Sequence, residues 1–369
     1  MTAPTLRRSG AAAWRGPVAG PLVAAATVVA AVLATRPLGL PVRDPDHVAA
    51  TSLLLVGLGV ALLVGLDILI RAARASGSFP PPRAEMARVR RARWTARRGA
   101  AAGLALVSFY VTYMAYRNLK AVVPLVRPGD NFDGALADLD RSLFAGHDPA
   151  VLLHSLFGTG LMTHVLSAAY VAFIVFLPLT IGVALVFSRD LQAGLFYTCA
   201  QSVNWVLGAG TYFLLPSLGP IYADPKAFAE LPASEVTRLQ GVLLDQRVEF
   251  LRDPAASTPQ SIAAFASLHI SMSFTAAMAA HLLGAGRRLR IALWTWFAVT
   301  TVGTIYLGWH YVVDDIAGVA LGAAALAVAG LLTGTDLRAA RQRRRLTVSP
   351  GAPDRGADER PAAPAVQTR

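Results

Sequence analysis

Two histidines stand at the edges of long apolar runs. His269 lies in FASLHISMSF, residues 265–274, and His310 lies in YLGWHYVVDD, residues 306–315. An ionisable side chain beside lipid is costly, and such residues mark functional sites by default. If the second stretch opens a helix, His310 and Asp314 are i and i+4 and share one face. The Asp314 carboxylate can then accept a hydrogen bond from one imidazole nitrogen. That fixes the tautomer and leaves the other nitrogen as nucleophile or base. Asp315 points about 100° away round the helix and suits a different pairing or a helix cap. His269 comes from another helix and can serve as the acid. A nucleophilic histidine, an orienting carboxylate and a second histidine to protonate a leaving oxygen suit phosphoryl transfer through a phosphohistidine near neutral pH.

The elements that must position these residues are membrane spans. The chain has 369 residues, 54% hydrophobic and 15% charged, where a soluble globule carries about a quarter charged. Apolar runs of about 20 residues, enough to cross a bilayer as a helix, recur along it. Eight spans are expected, near 18–36, 49–70, 100–122, 163–187, 191–215, 265–286, 291–308 and 311–333. The first reads as an uncleaved anchor, because no small-x-small site follows its long apolar stretch. The net charge of +12 is mostly arginine, and the arginines cluster in alternate connections. These are the N-terminal tail, the 71–99 loop, Arg189, RRLR at 287–290 and RQRRR at 341–345. That pattern is topological and argues against nucleic acid binding; the positive-inside rule puts these segments, with both termini, in the cytoplasm. Both histidines then lie at the extracytoplasmic face. Three regions are expected: two N-terminal spans with a basic cytoplasmic loop (1–99), a catalytic membrane domain (100–335), and a disordered basic tail (336–369). The single cysteine, Cys199, has no partner for an internal disulfide.

Phosphoryl transfer also needs cations to hold anionic oxygens. KAVVPLVRP at 120–128 supplies Lys120, a point charge, and Arg127, a planar fork, on the histidine side. Both also fit the plainer role of snorkelling interfacial residues. Arg252, ahead of the His269 run, is a substitute clamp, and Arg117, Arg141, Lys226, Arg238 and Arg247 share that side. A lone histidine at a span end is ordinarily just interfacial. Two on one side, one with a carboxylate at i+4, reverse that reading. His47, His147, His154, His164 and His281 have no such setting. A haem or metal pair would sit inside the bundle on facing helices, so neither metal nor cofactor is expected.

ASLH with GWHYVVDD resembles the second and third signature motifs of the type 2 phosphatidic acid phosphatase superfamily. It looks most like the inositol phosphorylceramide synthase-like branch, where Ser-Leu-His replaces Ser-Gly-His and His-Tyr-x-x-Asp forms the third motif. The resemblance covers about residues 100–330 and implies a six-helix phosphatase-like core within the eight spans. It implies His310 as nucleophile, Asp314 as its partner, His269 as general acid and base, and Ser267 beside the phosphate. Lys120, Arg127 and Pro128 match the superfamily's first motif, although two spans separate them from His269. The third motif often carries an arginine six residues before its histidine. Here that residue is Thr304, a departure that agrees better with the synthase-like branch. DGALADLDRSLFAGHDP at 133–149 also resembles that branch, and its charged residues could simply shape an interfacial helix.

The expected protein is therefore an all-α polytopic membrane bundle. It would act on a lipid phosphate or lipid-linked phosphate in the bilayer, with water or an alcohol such as inositol as acceptor. A transporter or scaffold is the other class, but broken spans and paired repeats are not evident. The abundance of Ala, Arg and Gly fits a bacterium with GC-rich DNA, and hence a plasma membrane.

Overall fold

The computed structural model describes residues 15–44, 48–188, 190–255 and 260–336. The tail beyond residue 336, the N-terminal arginines Arg7 and Arg8, His47 and Arg189 lie outside the described residues. Among the described residues the fold is helical throughout, with thirteen α-helices and no strand. The long ones are α1 (Arg15–Thr35), α2 (Val48–Ser76), α4 (Ala96–Val126), α7 (Leu161–Phe187), α8 (Leu191–Leu214), α11 (Leu268–Leu282), α12 (Arg287–Tyr306) and α13 (Val312–Thr333). They coincide with the eight expected spans. Shorter helices cap the bundle: α3 (Arg83–Arg93), α5 (Asp133–Leu143), α6 (Pro149–Phe157), α9 (Pro220–Ala223) and α10 (Glu235–Arg252).

Five helices, α1, α2, α4, α7 and α13, are long and apolar enough to cross a membrane. The other three, α8, α11 and α12, are less apolar or shorter because α8 and α11 fill the interior, where polar side chains have partners. Helix α8 packs against α1, α4, α7, α11 and α13. Asn204 on α8 donates to Thr275 Oγ1 at 3.0 Å and accepts from Ser271 Oγ at 2.6 Å, tying α8 to α11. Gln201 extends this network to Tyr197 OH and to the Met272 carbonyl. Inside a bundle such bonds each contribute about 0.6 kcal/mol. On the outside, Leu54, Leu58 and Leu62 of α2 are exposed on an apolar surface that suits lipid.

Helices α11 and α13, which carry the two histidines, meet at their backbones. A Cβ on Gly318 would lie 2.5 Å from the Ser267 carbonyl oxygen, and one on Gly322 would lie 2.7 Å from that of Ser271. Small residues four apart permit this approach.

The bundle has two chemically different ends. At one, buried Asp67 pairs with Arg71 at 2.7 Å and Arg93 at 2.6 Å, while Arg93 and Arg98 donate to the Ser188 carbonyl past the C-terminus of α7. Cations at a helix C-terminus meet its partial negative charge. The other end holds the C-termini of α4, α8 and α12, the N-termini of α7, α11 and α13, and helices α5, α6, α9 and α10. Both histidines lie there.

Candidate active site

Each histidine enters from a helix start. Ser267 is the N-cap of α11, its Oγ accepting from Ile270 N, so His269 falls in the first turn. The run before it, 260–267, is not helical. Its backbone is satisfied by neighbours: Phe265 N donates to Ser217 Oγ and Ala266 N donates to Thr211 Oγ1, both at 3.0 Å. Irregular backbone at membrane depth is tolerated when it is buried in protein like this.

His310 ends the turn between α12 and α13. Gly308 adopts φ 73°, a left-handed turn residue, and its carbonyl accepts from Ile221 N at 2.9 Å. His310 is buried at 5% exposure, and its Nδ1 lies 3.5 Å from Asp314 Oδ2. That oxygen also accepts from Tyr311 N at 3.0 Å, closing a cap on α13. Nδ1 and Asp314 Oδ1 are both buried without a hydrogen-bond partner. A modest approach of the ring would close the 3.5 Å gap from Nδ1 to Oδ2, and catalytic hydrogen bonds often tighten in this way when substrate binds. Asp315 takes a different course, as its angular position requires: it accepts from Thr304 Oγ1 at 3.0 Å.

The two imidazoles face each other with ring centroids 5.8 Å apart. His269 is half-buried against Tyr170 and Phe173, each with its ring centroid at 4.6 Å, and Tyr170 stacks on Trp309 at 5.0 Å. These aromatic rings wall one side of the pair. The Ala264 carbonyl lies on another side, against His310.

The expected phosphate ligands separate into near and far. Lys120, half-buried on α4, is the cation whose charge both imidazoles feel. Arg127 caps the end of α4, pairs with Asp130 and donates to the Phe213 carbonyl. Arg252 is exposed in the last turn of α10. Ser267 is fully buried, and its hydroxyl serves Ile270 N.

Other residues that build the site were not visible in sequence. Asp140 on α5 accepts from Val312 N at 2.7 Å and Val313 N at 3.1 Å, the orphan donors at the start of α13. Asp133 accepts from Leu218 N, Gly219 N and the Tyr311 hydroxyl. Helix α5, expected as an interfacial helix, is thus a brace across the His310 turn. Burial pushes the Asp140 carboxyl above its ordinary range, and the two N–H bonds pull it back. Helix α10 lies over the same turn: Gln240 Nε2 donates to the Leu307 carbonyl at 2.8 Å. Two turns further along that face, Arg247 donates to Ser261 Oγ at 2.9 Å. Its pKa is lowered by burial, and the Asp133 charge opposes that shift.

An all-helical fold with long apolar helices thus carries a His-Asp-His cluster between the starts of two helices. Residues 134–328, more than half of the chain, match the PAP2 superfamily, and the protein belongs to it. The matched stretch contains His269, His310 and Asp314 and begins beyond Lys120 and Arg127. No curated protein and no solved structure matches the chain. Members of the superfamily are phosphatases or phosphotransferases.

Proposed function

We propose that the protein is a multi-pass plasma-membrane phosphatase or phosphotransferase. It acts on a lipid-linked phosphate at the extracytoplasmic face, in the manner of the inositol phosphorylceramide synthase-like branch. The observation that carries this reading is the buried Asp314 carboxylate behind His310 with His269 5.8 Å in front of it, ring to ring. Asp314 holds the proton on Nδ1 and orients the ring. Nε2 of His310 attacks phosphorus, a P–N bond forms, and the P–O bond to the leaving group breaks as His269 donates its proton to that oxygen. His269, now neutral, takes a proton from water or an alcohol, whose oxygen attacks phosphorus and breaks the P–N bond. Water yields inorganic phosphate, and an alcohol yields a new phosphate ester. The residues that carry out these steps are all side chains of this chain, so no cofactor enters. Thr304 in place of an arginine, with Ser-Leu-His at 267–269, favours the synthase-like branch and an alcohol acceptor such as inositol.

The test is a panel of lipid phosphates, monoesters and diesters, offered to purified protein with and without alcohols, scoring free phosphate and any new phosphate ester of the alcohol. Turnover is expected to persist in chelator and to disappear in His310→Ala with the fold intact. Full activity in that variant overturns the assignment.

A further inference from the structure

The proposed chemistry leaves a charge problem. A phosphoryl group in transfer spreads negative charge over its equatorial oxygens, and catalysis is mostly the positioning of cations around them. Where the superfamily's third motif often carries an arginine, this chain has Thr304, whose hydroxyl is bound to Asp315. Arg127 is engaged with Asp130 and the Phe213 carbonyl, and Arg252 is exposed. Lys120 alone is a weak answer, since a single ammonium offers no planar fork.

Arg247 is placed differently from every other cation of α10. Gln240 fixes one face of that helix to the Leu307 carbonyl, three residues before His310, and Arg247 is seven residues on, on the same face. Its anchor, Ser261, is 2% exposed and begins the buried run whose Ala264 carbonyl lies against His310. The bond to Ser261 is the only hydrogen bond its guanidinium makes among the described residues, so most of its N–H fork is uncommitted. The charges of Arg117 and Arg247 both act on Lys120, whose own charge acts on both histidines. Cations gathered this way, with few carboxylates among them, are favoured by binding an anion. The nearby carboxylate, Asp133, already accepts from Leu218 N, Gly219 N and the Tyr311 hydroxyl.

We infer that Arg247, held by Ser261, binds the substrate phosphate together with Lys120 and supplies the guanidinium that position 304 lacks. This rests on the phosphoryl-transfer reading above. Removing a donor that acts in the transition state lowers kcat by about 10²–10³-fold. Arg247→Gln is therefore expected to lower kcat by that factor. The same variant raises both KM and the inhibition constant of inorganic phosphate by about 10-fold or more, the loss of one charge-assisted contact. Arg247→Lys keeps the charge and restores part of the phosphate affinity, which a purely structural role would not do. Arg238→Gln, an exposed residue of the same helix, leaves all three constants unchanged. Wild-type constants in both Arg247 variants overturn the clamp, while His310→Ala reports separately on the chemistry. If the wild type turns over no lipid phosphate, inorganic phosphate alone still decides. It should raise the unfolding temperature of the wild type and not of Arg247→Gln, and an equal shift in both, or none in either, overturns the inference.

Discussion

At the scale of single residues, the proposed mechanism has the two histidines make different demands on the substrate. Protonation of the leaving oxygen matters most when that oxygen is a poor leaving group. His269→Ala should therefore slow hydrolysis of an alkyl lipid phosphate by about 10²–10⁴-fold. With p-nitrophenyl phosphate the first step needs no acid, so the same variant should release a burst of nitrophenolate equal to the enzyme and then stall. Linear release without a burst would argue against a covalent intermediate at His310. Asp314→Asn keeps an oxygen for the Tyr311 N–H but loses the charge that favours the imidazolium. A fall in kcat approaching about 10⁴-fold, with unchanged thermal unfolding, is expected. The His310–Asp314 pair was legible in sequence because its spacing is local, although His310 precedes α13 and it is the cap at Tyr311, not a shared helix face, that brings the two together. Asp133 and Asp140 were not, because they act across 178 and 172 residues on Tyr311 and Val312. No periodicity encodes that pairing.

At the scale of elements, hydropathy reveals spans but not the braces between them. All eight expected spans are helices, yet α11 begins at Leu268, three residues later than expected, because Ser217 and Thr211 claim the preceding N–H groups. Helix α10 lay unseen in the 216–264 stretch. Its signal was present: Ser234 with Thr237 forms a reciprocal cap, and Val236, Leu239, Leu243 and Phe250 repeat at helical spacing. Six charged residues inside the helix masked that period. Helix α5 gives the sharpest prediction at this scale. Asp140→Ala leaves two N–H groups at the start of α13 without an acceptor. The loss of a cap costs about 0.5–2 kcal/mol, which should appear as a lower unfolding temperature. Because that cap sits two residues from His310, kcat should fall as well, while KM changes little. A drop in stability with unaltered kcat would show that α5 supports the fold without setting the histidine.

At the scale of the whole molecule, the sorting of charge decides which compartment the site faces. Arg71, Arg74, Arg88, Arg93 and Arg98 line one hollow of about 710 Å³, with Glu85 the single acid on its wall. Arg287 and Arg290, with His281, line a second of about 530 Å³ at the same end, beside the last turn of α11. The histidine end mixes its cations with Asp130, Asp138, Glu235 and other acids. Arginine near span ends is retained on the cytoplasmic side, and the proposed orientation, with His269 and His310 outside, follows that rule. Cys199, buried at 2% exposure in α8, stays silent to aqueous thiol reagents and leaves a clean background. Asp138→Cys on α5 should react with a membrane-impermeant maleimide in intact cells, because that side chain is 76% exposed at the histidine end. Arg88→Cys on α3, 69% exposed at the arginine end, should react only after lysis. The opposite pattern would place the histidines in the cytoplasm, where the lipid phosphate would have to be presented from the inner leaflet. The acceptor alcohol would then come from the cytosol, so these two labels decide which pool of substrate the bundle can serve.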